Sequence, residues 1–164
     1  MTKEQYIKIT APLRADKEKA KRVTDANEIL TGLIYCIYPL YVVVLFLEKN
    51  PLLLRAVLIP AVSFVLLTVV RRMINAPRPY EKFDMPPVIE KDTKGKSFPS
   101  RHVFSVFIIA VTIFVSHIGA GIMIALIGVA IAVIRVIGGV HEPRDVIAGA
   151  IAGVAAGIVG FWIL

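Results

Sequence analysis

Three short clusters in this chain carry residue types able to do chemistry on an anion. The first runs Arg135-Val-Ile-Gly-Gly-Val-His141-Glu-Pro-Arg-Asp145. An Arg, a His and an Asp in a Gly-rich hinge between two long apolar runs are costly so close to a bilayer, and something must offset that cost. Attack of the His141 imidazole on phosphorus would do so, with Asp145 orienting the ring and Arg135 holding phosphate oxygens. The plainer alternative is a polar loop at a membrane surface whose Arg and His snorkel. The second cluster is Phe98-Pro99-Ser100-Arg101-His102, and the third is Arg71 with Arg78-Pro79. Two histidines, His102 and His141, permit a division of labour between nucleophile and general acid. Pro99 suits the first position of a helix, which would leave the N–H groups of Ser100, Arg101 and His102 free as an anion site. Pro143 suits the same position in the next cluster, placing His141 just before a helix and Asp145 in its first turn. These parts fit phosphoryl transfer, where the protein mainly positions the group and neutralises its charge.

The elements that must position these clusters are apolar helices. Of the 164 residues 57% are hydrophobic, yet the net charge is +7, and the mean hydropathy is +0.74. Strong apolarity with concentrated basic charge indicates an integral membrane protein that meets lipid head groups or phosphate. Nucleic acid is not expected as a partner, because no soluble domain remains to present a basic face. A single cysteine, Cys36, excludes an intrachain disulfide. Five apolar runs, at 29–47, 52–70, 98–116, 118–137 and 146–164, each have 19 or 20 residues, about enough to cross a ~30 Å hydrocarbon core as helices. The expected fold is therefore all-α, a membrane bundle of about five transmembrane helices. It divides into a charged segment, 1–28, and a transmembrane domain, 29–164. Within the first, an interfacial helix over 14–28 competes with a solvated tail, and Asp25 or Asn27 is expected to cap the first membrane helix. No cleavable leader is expected, since the first 28 residues are too polar and long for one.

Five crossings put the N-terminus, the long basic and Pro-rich loop 71–97 and the 138–145 turn on one face. Arg71, Arg78, Ser100, His102, Arg135, His141 and Asp145 then converge at one membrane interface. Fifteen Lys and Arg lie on that face against two on the other, so the positive-inside rule places it in the cytoplasm. His102, His117 and His141 lack ligand-like spacing and His117 falls on the far face, so no metal and no other cofactor is expected. Gly149, Gly153 and Gly157 recur every fourth residue, read as close packing inside the bundle in preference to a dimer interface.

At these residues the chain resembles the type 2 phosphatidic acid phosphatase (PAP2) superfamily. That family has three ordered motifs: Lys, six residues, Arg-Pro; then Pro-Ser-Gly-His; then Ser-Arg, five residues, His, three residues, Asp. Arg71 with Arg78-Pro79 matches the first, with Arg71 in place of Lys. Pro99-Ser100-Arg101-His102 matches the second, with Arg101 in place of Gly. Ile134-Arg135, His141 and Asp145 match the third, with Ile134 in place of Ser. The resemblance spans roughly residue 52 to the C-terminus. It implies a lipid phosphatase working without a metal, located in a bacterial or archaeal cell membrane. His141 would become a phosphohistidine supported by Asp145, and His102 would protonate the leaving oxygen. Arg71, Arg78, Ser100 and Arg135 would hold phosphate, while Arg101 either adds a phosphate contact or points away. The implied substrates are phosphatidic acid, phosphatidylglycerol phosphate or a polyprenyl diphosphate. The alternatives are a non-enzymatic lipid-phosphate binding or transport protein and a lipid phosphotransferase.

Overall fold

A computed structural model describes residues 1–163, so Leu164, the last position of the fifth apolar run, lies outside the described residues. The protein is an integral membrane helical bundle with no strand among those residues. Its helices are α1 (Lys3–Arg14), α2 (Lys17–Leu47), α3 (Leu53–Ile74), α4 (Pro79–Phe83), α5 (Arg101–Phe114), α6 (Ile118–Ile137) and α7 (Pro143–Ile158), the last continued by a π-helical turn, Val159–Ile163. Helices α2, α3, α6 and α7 with its continuation are long and apolar enough to cross a membrane, and α5 is shorter.

The N-terminal segment differs from expectation. Asp16, not Asp25 or Asn27, caps the first membrane helix: its Oδ1 accepts the N–H groups of Glu18 at 3.0 Å and Lys19 at 3.1 Å. Satisfying those otherwise orphaned donors starts the helix about three turns early. The pair Arg22–Glu18, one helical turn apart at 2.5 Å, supports the exposed first turns. Residues 17–28 therefore continue unbroken into the apolar part of α2, and the separate helix is α1.

Helix α5 is the heart of the bundle. Val103, Phe104, Val106, Ile108, Ile109, Ala110 and Ile113 are all buried, which covers every side of the helix. A helix apolar all round must be enclosed, and α2, α3, α6 and α7 enclose it. By contrast α2 and α3 expose Leu40, Phe46, Leu54, Val65 and Leu66, the surface a membrane helix turns to lipid. The small-residue stripe of α7 packs inward. A Cβ at Gly149 would lie 2.5 Å from the Ser100 carbonyl oxygen, one at Gly153 2.6 Å from that of Phe104, and one at Gly157 2.6 Å from the Val111 side chain. Close approach of α7 to α5 is what brings Asp145 beside Ser100.

Candidate active site

Three local structures place the polar side chains at one end of the bundle. Arg71 lies in the last turn of α3, which stops at Asn75 in the left-handed conformation. Arg78 precedes α4, and Pro79 takes the first position of that helix. Pro143 opens α7 as expected, with Asp145 in its first turn. Pro99 does not open α5. Ser100 is the cap and Arg101 the first helical residue, because the Ser100 N–H is already taken by the Asp145 carbonyl at 2.8 Å. The free N–H groups of that turn accordingly lie one residue later than expected.

His141 is 2% exposed, Asp145 1% and Ser97 1%. The Asp145 Oδ2 lies 3.5 Å from His141 Nδ1, but Ser97 joins them more closely. Its hydroxyl donates to Asp145 Oδ2 at 2.6 Å and stands 3.2 Å from His141 Nδ1. The one hydroxyl proton goes to the carboxylate, so Nδ1 must be the N–H donor to Ser97 Oγ. The neutral ring then carries its proton on Nδ1, and its other nitrogen is unprotonated. The Glu142 N–H also donates to Asp145 Oδ2, at 3.0 Å. Sequence reasoning missed Ser97. Its only signal was a hydroxyl three residues before Ser100, at the end of the basic loop.

His141 lines a cavity of about 230 Å³ together with His102, Arg71, Arg78 and Arg101. Arg72, Lys91, Lys96 and two threonines complete the wall, which has six cations and no carboxylate. Such a space suits a multiply charged anion. Arg78 Nε donates to the Gly95 carbonyl at 3.2 Å and its Nη1 to that of Val140 at 3.2 Å. Arg71 donates to the carbonyls of Lys96, Ser97 and Pro99. Both guanidiniums thus brace the loop as well as facing the cavity. Arg135, Ser100 and Asp145 sit behind the wall. Arg135 is 3% exposed, and its Nε has no hydrogen-bond partner among the described residues, nor has the Ser100 hydroxyl. Buried donors left open in this way mark a place where a ligand completes the network.

Burial pushes the His141 imidazolium down from the usual range to about 4, outweighing the raising pull of the nearby Asp145 carboxylate, while Arg78 and Arg135 push it lower still. The ring is therefore held neutral, as a nucleophile requires. Burial, with Arg135, Arg78 and Arg101 nearby, also lowers the Lys91 ammonium.

The His141 loop is clamped from both sides. Tyr6 of α1 is fully buried, and its hydroxyl lies 3.4 Å from the carbonyls of Gly139 and Pro86. Gly139 has φ +74°, and a Cβ there would meet the Tyr6 hydroxyl at 2.7 Å. On the other side the N–H groups of Val88 and Ile89 donate to the Gly138 carbonyl at 3.0 and 3.1 Å.

Comparison with known proteins gives the family and the fold. Residues 52–164 match the PAP2 superfamily. The bacitracin transport permease protein BcrC of Bacillus licheniformis is 30% identical over 118 residues, covering 70% of this chain; the match spans 57% of that relative's length. Among solved structures, LpxE of Aquifex aeolicus superposes with a TM-score of 0.73 at 25% identity, covering 96% of this chain and 92% of the other. A PAP2-type phosphatidylglycerolphosphate phosphatase of Bacillus subtilis gives 0.64 at 22% identity, covering 94% and 90%.

Proposed function

The chain belongs to the PAP2 superfamily, and from that premise we propose that it is a membrane lipid phosphatase, cleaving a phosphate monoester or diphosphate of a lipid through a phosphohistidine on His141. The observation that carries this reading is the buried line His141 Nδ1, Ser97 Oγ, Asp145 Oδ2 behind a cavity walled by cations. The unprotonated ring nitrogen attacks phosphorus and forms the N–P bond. The P–O bond to the lipid breaks, its electron pair goes to the leaving oxygen, and His102, which lines the same cavity, supplies a proton to that oxygen. Asp145 stabilises the positive charge that grows on the ring, relayed by Ser97. Water then cleaves the N–P bond and releases inorganic phosphate. Arg78, Arg101 and Arg135 neutralise phosphate oxygens, joined by the open Ser100 hydroxyl. Arg71 adds charge and fixes the loop. The lipid reaches the site from the bilayer, and the charge asymmetry of the loops supports a cytoplasmic position for the site. Residues 1–28 then serve to seat α1 on the His141 loop, and 29–164 form the phosphatase domain.

The test is phosphate release by detergent-purified protein, with EDTA present, from phosphatidic acid, phosphatidylglycerol phosphate and a polyprenyl diphosphate. His141→Ala runs in parallel. Release by the wild type alone, with a base-stable and acid-labile phosphoprotein trapped on His141, is the expected result. Tight binding of these lipids without phosphate release would replace the reading with a binding or transport role. Transfer to an added alcohol in preference to water would make the protein a phosphotransferase.

A further inference from the structure

The loop between α4 and α5 gives Lys91, Thr93 and Lys96 to the wall of the catalytic cavity. It is pinned on both sides of Lys91. Just before it, the N–H groups of Val88 and Ile89 converge on the Gly138 carbonyl. Both of those side chains are buried, and a Cβ at Gly138 would run into Ile89. Just after it, the Thr93 carbonyl accepts the hydroxyl of Tyr80 from α4. The first anchor lies on the turn that carries His141. Hydrogen bonds, and not the reach of a free loop, therefore set where Lys91 stands relative to His141, so little conformational entropy is left to lose when its side chain meets a ligand.

The other cations of that wall are engaged or open to solvent. Arg71 spends its donors on three loop carbonyls, and Arg78 gives two of its own to Gly95 and Val140. The Arg101 guanidinium stacks 5.3 Å from the centroid of the Phe64 ring. Arg72 and Lys96 are exposed. Lys91 alone is half-buried with no hydrogen-bond or ion-pair partner among the described residues. Burial, then Arg135, Arg78 and Arg101, push its ammonium down from the ordinary lysine range, and Asp92 opposes them most weakly. A cation drawn partly out of water toward three arginines lacks the anion that would offset its cost.

We propose that Lys91 is a further catalytic residue, whose ammonium donates to a non-bridging oxygen of the phosphoryl group as that group passes to His141. The inference rests on the phosphatase reading and adds to it a residue outside the three sequence motifs. Arg71, with its donors committed to the loop, serves mainly to hold that loop in place, and the mobile point charge of the site is supplied by Lys91. An ammonium has three donors and no fixed plane, so it can follow the oxygens as they move from the leaving group toward the ring nitrogen. Charge spread over those oxygens in transit is what it stabilises. The N–P bond to His141 forms, the P–O bond to the lipid breaks with its electron pair on the leaving oxygen, and His102 protonates that oxygen. Lys91 keeps its own proton throughout. When water cleaves the N–P bond, the same contact holds the group again until inorganic phosphate departs.

The experiment measures phosphate release from the lipid that the wild type turns over best, and inorganic phosphate binding by calorimetry on His141→Ala with and without Lys91→Met. Lys91→Met is expected to lower kcat by about 100-fold, the effect of removing one donor from a charge-stabilising site, and to weaken phosphate binding by about tenfold. Lys94→Met, in the same loop but off the cavity wall, should stay within about twofold of the wild type. Chemical rescue separates charge from shape. In a Cys36→Ser background, Lys91→Cys alkylated with 2-bromoethylamine regains an ammonium of nearly the original reach, and its kcat should rise about tenfold or more. Alkylation with iodoethane, which restores length without charge, should leave kcat low. Equal recovery with both reagents, or a Lys91→Met kcat within about twofold of the wild type, would overturn the proposal. If the wild type releases no phosphate from any lipid but His141→Ala binds phosphate in a way that needs Lys91, the contact stands and the phosphatase reading fails.

Discussion

Ser97 donates its hydroxyl proton to Asp145 across 2.6 Å, deep in the protein and between two different helical caps. The bond ties the end of the basic loop to the first turn of α7, and it decides which nitrogen of His141 carries the proton. A residue two positions outside the histidine motifs thus sets the state of the proposed nucleophile.

Ser97→Ala removes the relay and leaves Asp145 short of a donor. We expect kcat to fall by about 10- to 100-fold with KM little changed, the pattern of an interaction made mainly in the transition state. The lost buried hydrogen bond costs about 1–3 kcal/mol of stability. Parallel phosphate-release kinetics and thermal melting separate the two effects. Unchanged kcat in a folded variant would remove Ser97 from the mechanism.

The pH profile carries a second prediction. In the proposed mechanism His141 must be neutral to attack, and its burial pushes the protonation step down to about 4. The acid limb of kcat/KM, which reports the free enzyme, should therefore lie well below the ordinary histidine value of about 6.5. In Asp145→Asn the carboxylate no longer favours the imidazolium, so any remaining activity has its limb at still lower pH. The sign for stability follows by linkage. The unfolded chain takes up this proton near 6.5 and the folded one only near 4, so the folded state loses stability as pH falls between those values. Melting temperature against pH, for wild type and His141→Gln, reads that difference.

Gly139→Ala tests the clamp on the catalytic loop. The left-handed backbone costs an alanine roughly 1 kcal/mol, and the new methyl would press on the Tyr6 hydroxyl at 2.7 Å. Lower melting temperature and lower kcat together are expected, because the strained residue is two positions from His141. Adding Tyr6→Phe should recover part of the loss. No recovery would place the effect in the backbone alone.

Glycines of the transmembrane helices should divide sharply. Gly153→Leu pushes against the Phe104 carbonyl and should unseat α7 from α5, abolishing folded protein on size exclusion. Gly32 has nothing within 4 Å of its would-be Cβ, so Gly32→Ala should stabilise by about 0.5–1 kcal/mol through helix propensity.

Sidedness can be read with single cysteines in a Cys36→Ser background. Lys94→Cys in the basic loop should resist a membrane-impermeant thiol reagent in intact cells and react after permeabilisation. Lys49→Cys, in the turn at the other end, should react in both. The reverse pattern would put the site outside and assign the loop charges to the substrate.

Much of this architecture is legible in the sequence because lipid simplifies folding. Backbone cannot stay unpaired there, so apolar runs of sufficient length become helices, and counting crossings sorts Arg71, His102 and His141 onto one face. Loop geometry was harder. Pro99 looked like a helix opener, yet the carbonyl of Asp145, remote in sequence, captured the Ser100 N–H and moved the cap. Asp16 was hidden among other charges, and only its local hydrogen bonds distinguish it from Asp25. Ser97 carries no periodicity or charge, so its role depends wholly on where α7 brings Asp145.

Helix α5 has 14 residues and so rises about 21 Å, short of the ~30 Å hydrocarbon core that its neighbours span. If its far end lies level with theirs, its N-terminus, and the cavity built on it, is countersunk beneath the membrane surface. The missing turns act as a depth gauge. A phosphate tethered to a hydrocarbon tail is drawn down to the recess as the tail settles beside α2 and α3, whereas a water-soluble phosphate has no tail to offset the cost of leaving solvent. On the phosphatase reading, discrimination between lipid and metabolite would then begin with the length of one helix, before any side chain touches the substrate.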